Sequence, residues 1–370
     1  MRILIISHEF LGTGGGNTID NLSKSFSKLG NNVDIITSKY DYNYTKYKNV
    51  RVYQIPIGRK KIYATNAMNM FLFIILSFLF AIKLIQKNSK YDAIQCMFIF
   101  PSGIVGLALS KIFNIPLYIK LGGDIPGWMK YRFKSLSSLT TPFFIYICNN
   151  SNKIIVNSEG MKTYLHRFIK NEITIIPPGV DLNYFLPKIQ RMPNSKIKII
   201  LCVARLVPEK GIHLLLKAIQ SIDEIQLRIL GDGPGIKELK NLAFKLGIES
   251  KVLFLGHVPS KTLRDNYQNA DLFVLPSFID DLPTSSREAL SSGLPLVISN
   301  FYGSEDLIDG NGFIVPMNNE ILLEQKIRYI IKNDMIRIKM GEKSREIAIR
   351  KFDWSKISEQ YLNIYYKNKR

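Results

Sequence analysis

Short apolar runs rich in Ile, Leu and Val recur along this chain, separated by segments long enough to form helices. No other feature narrows the fold as far. A run that is apolar throughout has to be covered on both faces, and a series of such strands joined by helical crossovers builds a parallel sheet. The first series places strands at Arg2–Ser7, Val33–Thr37, Val50–Pro56, Ala93–Met97, Pro116–Lys120, Lys153–Asn157 and Thr174–Ile176. The second places them at Ile197–Ala204, Gln226–Gly231, Val252–Gly256, Leu272–Pro276 and Leu296–Ser299. Both series read as doubly wound α/β sheets. With 370 residues the chain exceeds one ordinary core, so two domains of about 180 residues are expected. Leu186–Ser195 holds Pro187, Lys188, Arg191 and Pro193 without apolar periodicity, which places the hinge there. Ligands of open parallel sheets bind beyond the carboxyl ends of the strands, so a cleft between two such sheets is the expected site.

Met68–Ile85 is long and apolar, with Lys83 its single charge, and meets the length of a membrane span. It falls between two strands of one sheet, where a span would divide the domain. Three readings stand: a buried or groove-lining helix, a helix dipping into a membrane interface, and a span. Lys60, Lys61, Lys87 and Lys90 flank the segment. The net charge is +20, and it is uneven: 23 basic against 9 acidic residues up to position 190, then 27 against 21. Such an excess suits a phosphate-rich partner, or else a solvated basic surface. No nucleic-acid module is recognisable, and the aromatics sit in apolar runs instead of alternating with cations, which speaks against nucleic acid. Cys96, Cys148 and Cys202 are spaced as reduced core thiols. The start, Met1–Ser7, is too short in apolar residues for an export signal.

Three stretches carry chemistry. Val203-Ala-Arg-Leu-Val-Pro-Glu-Lys-Gly211 follows an apolar strand. Arg205 and Lys210, delivered at a strand end, can hold a diphosphate, the first by its fork and the second as a point charge; alternatively they are surface cations. Pro276-Ser-Phe-Ile-Asp-Asp-Leu-Pro-Thr-Ser-Ser-Arg-Glu-Ala-Leu290 closes another strand and opens a helix at Pro283. Free amides near Thr284 attract phosphate, and Glu288, one turn on, can accept two hydrogen bonds from a vicinal diol such as ribose; otherwise this is an ordinary helix start with a solvated Glu. Gly14-Gly15-Gly16-Asn17 stands between the first strand and a helix expected over Thr18–Leu29. Glycines there let a backbone approach an anion. The run is not Gly-x-Gly-x-x-Gly, and Thr37-Ser38-Lys39 ends the second strand without an acid, so a nicotinamide site is disfavoured.

Together these stretches resemble the retaining glycosyltransferase family 4, the glycogen-synthase-like and polysaccharide-biosynthesis transferases. The likeness covers nearly the whole chain and is densest from Ile176 to Tyr365. Pro177-Pro-Gly-Val-Asp181 is similar to the family's Pro-Asn-Gly-Val-Asp element. Gly231-Asp-Gly-Pro234, Gly256-His-Val258, Ala270-Asp-Leu-Phe-Val-Leu-Pro-Ser277, Glu288-Ala-Leu-Ser-Ser-Gly-Leu-Pro295 and Asn311-Gly-Phe313 fall in its order and spacing.

The resemblance implies the GT-B fold, two Rossmann-like domains facing across a cleft. Residues 1–187 would take the acceptor, 188–350 the nucleotide-sugar donor, and 351–370 would form a helix packing back on the first domain. Arg205 and Lys210 would bind the donor diphosphate, Glu288 the ribose and Asp280 the transferred sugar. The backbone around His257 and Val258 would face the base, the Leu282–Pro283–Thr284 turn would line the donor, and Gly15 and Gly16 would approach donor phosphates or acceptor. The chain departs from the pattern in three places. Asp280 stands for the first Glu of Glu-x7-Glu, Asp281-Leu-Pro283 replaces Gly-Phe-Gly, and Leu121-Gly-Gly-Asp124 lacks the His of His-Gly-x-Asp, leaving Asp124 to contact acceptor or sugar.

No two aspartates stand two apart, and His8, His166 and His213 have no ligand partner nearby, so neither a metal nor another cofactor is expected. The implied reaction is front-face transfer with retention, from a nucleotide sugar to a lipid-linked or other saccharide acceptor. A non-catalytic nucleotide-sugar-binding subunit on the same fold is the alternative. Basic charge in the first half and the apolar segment together suggest a cytoplasmic protein, peripheral on the anionic inner face of the cytoplasmic membrane and released by salt.

Overall fold

The computed structural model describes residues 1–8, 14–39, 47–57, 67–87, 90–122, 137–188 and 196–367. The chain divides into two compact units, Met1–Asn157 with Met161–Pro178 and Trp354–Arg370, and Gly179–Asp353 with Ser158–Gly160. Residues 189–195 of the segment read as a hinge, Asp124, and the flanking Lys60 and Lys61 lie outside the described residues.

The first unit is built on β1 (Arg2–Ile6), β2 (Asn32–Ser38), β3 (Val50–Ile55), β4 (Ala93–Met97), β5 (Leu117–Lys120), β6 (Lys153–Val156) and β7 (Ile173–Ile175). Their order across the sheet is β3-β2-β1-β4-β5-β6-β7, parallel throughout. β1 and β4 are buried along nearly their whole length, as continuous apolar runs covered on both faces require. One cover is the helix Gly14–Lys28 with the C-terminal helix Trp354–Lys367, whose Ile357, Tyr361 and Tyr365 share a core with Ile19, Leu22 and Phe26. Tyr365 Oη donates to Gln95 Oε1 at 2.7 Å, which fixes that helix to β4.

The helix Ala67–Lys87 bears on the readings of its apolar segment. It is long and apolar enough to cross a membrane by length and composition. Yet Phe73, Ser77, Ala81, Leu84 and Ile85 are buried in the first unit, where the helix packs on β2, β3 and the helix Ile104–Phe113. A helix with one face in a protein core lies along that core, which leaves the outer face, not the whole segment, for any other contact.

The second unit holds β8 (Lys198–Val203), β9 (Ile225–Leu230), β10 (Val252–Gly256), β11 (Leu272–Leu275), β12 (Leu296–Ser299) and β13 (Gly312–Val315), in the order β10-β9-β8-β11-β12-β13, again parallel. β13 carries no expectation from the sequence. It is an edge strand of four residues, its first three half-buried. It also begins with Gly312, where a Cβ would come 1.9 Å from the Leu296 carbonyl oxygen. The chain reverses direction of travel between β8 and β11, the switch point at which ligands of such sheets bind.

Candidate functional site

The loops that leave β8 and β11 at the switch point are tied to each other. Leaving β8, the chain makes a tight turn over Pro208–Lys210 and reaches Gly211 at φ 64°. A side chain at Gly211 would put Cβ 2.0 Å from the Pro276 carbonyl oxygen, so only glycine lets this turn rest on the end of β11. Glu209 O then accepts from Phe278 N at 2.8 Å and Ser277 Oγ at 3.2 Å. Across this clasp Lys210 Nζ meets Asp280 Oδ2 at 2.6 Å, both side chains largely shielded from water. The structure thus joins two residues that the sequence offered separately. Arg205 lies on the same loop with its side chain exposed.

Asp281 to Glu288 form the other wall. Leu282 is buried at φ 47°, and Pro283 leads into the helix Thr284–Ser291. Arg287, itself buried, holds this turn by donating to Leu282 O at 3.4 Å, to Thr284 Oγ1 at 2.9 Å and to Gly179 O. Burial lowers the Arg287 pKa to about 10. Ser158 Oγ donates to Asp281 Oδ1 at 2.6 Å, and Asp281 bridges in parallel to Tyr302. The loop after Asp280 is therefore fixed from three sides.

Glu288 is half-buried, and its Oε2 accepts from Tyr267 Oη at 2.9 Å; the same hydroxyl lies 3.1 Å from Ser285 O. Burial pushes the carboxyl up to about 7, against the opposing pull of the Tyr267 hydrogen bond and the Arg287 charge. Tyr267 is fully buried, edge-on to Phe185 at 5.6 Å, and burial with the neighbouring Glu288 raises its own pKa. Glu288 is thus a carboxyl poised between charge states.

Of the remaining expected residues, His257 is exposed and Val258 half-buried just past β10. Gly256 O accepts from Gly231 N at 2.8 Å, linking that turn to the end of β9. Gly231 has φ 129°, and a Cβ there would lie 1.9 Å from Ala204 O, so it presses the β9 loop onto the β8 loop. Gly15 and Gly16 belong to the first unit, within the first turn of Gly14–Lys28 and not in a loop before it. First-turn residues have no intrahelical amide bond to lose, so glycine is tolerated there. Among the described residues no cluster of three His, Cys, Asp or Glu could hold a metal. The shallow hollows of the second unit, one lined by Lys240 and Phe254 and one by Lys217 and Glu324, share no residue with the site.

Sequence reasoning missed Tyr267, Arg287 and Ser158. Tyr267 reads as an apolar helix position and Arg287 as a surface cation, and nothing in the spacing pairs Ser158 with Asp281.

Comparison with known proteins follows the same division of the chain. A profile of glycosyl transferases group 1 matches residues 188–347, and a profile of glycosyltransferase family 4 matches residues 12–184. The chain is 28% identical to an uncharacterised glycosyltransferase of Methanocaldococcus jannaschii, over 99% of this chain and 98% of that one. It is 26% identical to a putative teichuronic acid biosynthesis glycosyltransferase of Bacillus subtilis, over 66% of this chain and 62% of that one. Among solved structures, sucrose-phosphate synthase of Thermosynechococcus elongatus superposes with a TM-score of 0.84 at 23% identity, covering 99% and 98% of the two chains. HepE of Anabaena, in complex with UDP, gives 0.78 at 19% identity, covering 99% and 100%. At these identities the structural likeness concerns the fold.

Proposed function

Because the chain belongs to the family 4 type of GT-B glycosyltransferases, we propose that it moves a hexose-type sugar from a nucleoside diphosphate donor to a saccharide acceptor, with retention and without a metal ion. The observation that carries this reading is the Lys210–Asp280 pair at the switch point of the donor unit. A diphosphate carries more charge than one carboxylate, so on arrival it draws the Lys210 ammonium to itself. Asp280 is then free to accept hydrogen bonds from the hydroxyls of the sugar.

Arg205, Lys210 and the first amides of Thr284–Ser291 meet the charge that grows on the departing diphosphate, in place of a cation. Glu288, as the carboxylate, accepts from the ribose diol, with Tyr267 fixing its direction. The backbone at His257 and Val258 faces the base. The C1–O bond breaks toward an oxocarbenium-like species, the acceptor hydroxyl enters on the same face, and its proton passes to the leaving phosphate oxygen. Gly15 and Gly16 would approach the donor phosphates or the acceptor, and Asp124 would contact the acceptor or the sugar.

Support for the donor class comes from HepE, solved with UDP, and for a polysaccharide product from the teichuronic acid relative. The acceptor is lipid-linked and the enzyme peripheral on the cytoplasmic membrane face, a reading supported by the basic first half and the long apolar helix. The test is thermal unfolding of the purified protein against UDP, GDP, ADP and their sugars, since a ligand that binds the native state raises its stability. One nucleotide series should raise the melting temperature of the wild type and fail to do so for Lys210→Ala. Absence of a shift with every nucleotide would overturn the reading.

A further inference from the structure

The outer face of the helix Ala67–Lys87 carries a run of exposed apolar side chains. Met68, Phe71, Leu72, Ile75, Leu76 and Leu79 are all exposed, Met68 and Phe71 by 64% and 59%. Their spacing of three and four residues sets them in one stripe along the helix. The inner face is spent on β2, β3 and the helix Ile104–Phe113, and among the described residues the stripe stays exposed. Lys83 and Lys87 continue the same stripe toward the C-terminal end and are exposed, as are Lys111 and Ile112 on the adjoining helix.

We infer that this stripe is a membrane-insertion face: the helix lies in the plane of an anionic bilayer, its apolar side chains among the acyl chains and its lysines at the phosphates. This deepens the membrane-face reading given above and rests on it. Two observations favour lipid over a protein partner. The six exposed side chains of the stripe carry no nitrogen or oxygen, and none is a Tyr, Trp or Arg, the residues that most often anchor protein interfaces. Its charges are all of one sign and stand at one end, where long lysine stems can reach headgroups while the apolar part stays immersed. At 1.5 Å per residue the stripe runs about 16 Å, which suits shallow burial along the surface and not a crossing.

Attachment then has two parts, and only the electrostatic part is screened. The experiment is flotation with phosphatidylglycerol and with phosphatidylcholine vesicles, at low salt and at about 1 M salt, where charges act over only about 3 Å. It uses the wild type, Leu72→Gln/Leu76→Gln and Lys83→Gln/Lys87→Gln. All four substituted side chains are exposed and lie outside the core, and unchanged melting temperatures and donor hydrolysis without vesicles confirm intact variants. The wild type should float with phosphatidylglycerol and keep a measurable bound fraction at high salt. The leucine variant should lose binding at both salts by about tenfold or more, and the lysine variant should lose chiefly its preference for anionic lipid. Equal flotation of the leucine variant and the wild type would overturn the inference. So would a wild type that ignores vesicles and dimerises through this face, with the leucine variant monomeric. Donor hydrolysis is read without lipid, so a failed glycosyltransferase reading and a failed membrane face leave different records.

Discussion

Replacing Tyr267 by Phe removes one hydroxyl from a fully buried ring and leaves its packing on Phe185 in place. The hydroxyl stands 2.9 Å from Glu288 Oε2, and the pKa of that carboxyl is about 7. A hydrogen bond to a charged acceptor contributes about 1.5–3 kcal/mol, and about 1.4 kcal/mol corresponds to one pKa unit. The hydroxyl also faces Ser285 O at 3.1 Å, so the lower end applies, and Tyr267→Phe should raise the Glu288 pKa by about one unit. Ribose binding calls for the carboxylate, so in the wild type donor affinity should climb as pH rises through about 7, and in the variant about one unit later. Stability has the opposite sign. Glu288 holds its proton more tightly folded than unfolded, so its contribution is present at acid pH and is lost as pH rises through about 7. The assay is donor KM and kcat across pH, with Glu288→Gln as the pH-flat reference. A variant whose KM profile overlays that of the wild type would refute the reasoning.

If both meet leaving-group charge as proposed, Lys210→Ala and Arg205→Ala should each lower transfer on the order of 100-fold with folding little affected; wild-type turnover in either would remove it from the clamp. Asp280→Asn should bind the free nucleoside diphosphate about fivefold more tightly, the equivalent of about 1 kcal/mol, because Lys210 no longer has to leave its partner. The same variant should transfer sugar about tenfold more slowly or worse; calorimetry that shows weaker diphosphate binding would contradict the exchange. Gly231→Ala should cost roughly 3 kcal/mol in denaturant unfolding, from strain and overlap with Ala204 O; an unmoved midpoint would show that the β8 and β9 loops are less closely pressed.

The parallel sheets were legible because burial on both faces leaves an uninterrupted apolar run, as in Ile3–Ile6 and Leu272–Leu275. β13 was not, because its apolar run, Phe313–Val315, is only three residues long and follows Asn311-Gly312, a pair that reads as a turn. Helix onset at Gly14 was hidden by the low helix propensity of three glycines, which hardly matters in a first turn. Of the candidate site, the sequence offered residues that are near one another along the chain, as Arg205 with Lys210 or Thr284 with Glu288. The site was not legible where partners are 21, 108 or 123 residues apart, as Tyr267 with Glu288, Arg287 with Gly179 and Ser158 with Asp281. Those contacts depend on how the strands are ordered, which local pattern does not encode.

The central claim is that side chains and helix amides alone meet the charge of the leaving diphosphate while the sugar keeps its configuration. It is tested most directly by following a complete turnover by NMR in excess EDTA, with the donor identified by thermal unfolding and a saccharide acceptor. The account predicts undiminished release of the nucleoside diphosphate and a product whose new bond has the anomeric configuration of the donor. An inverted product, or turnover that stops in EDTA and returns with Mg²⁺ or Mn²⁺, would contradict it.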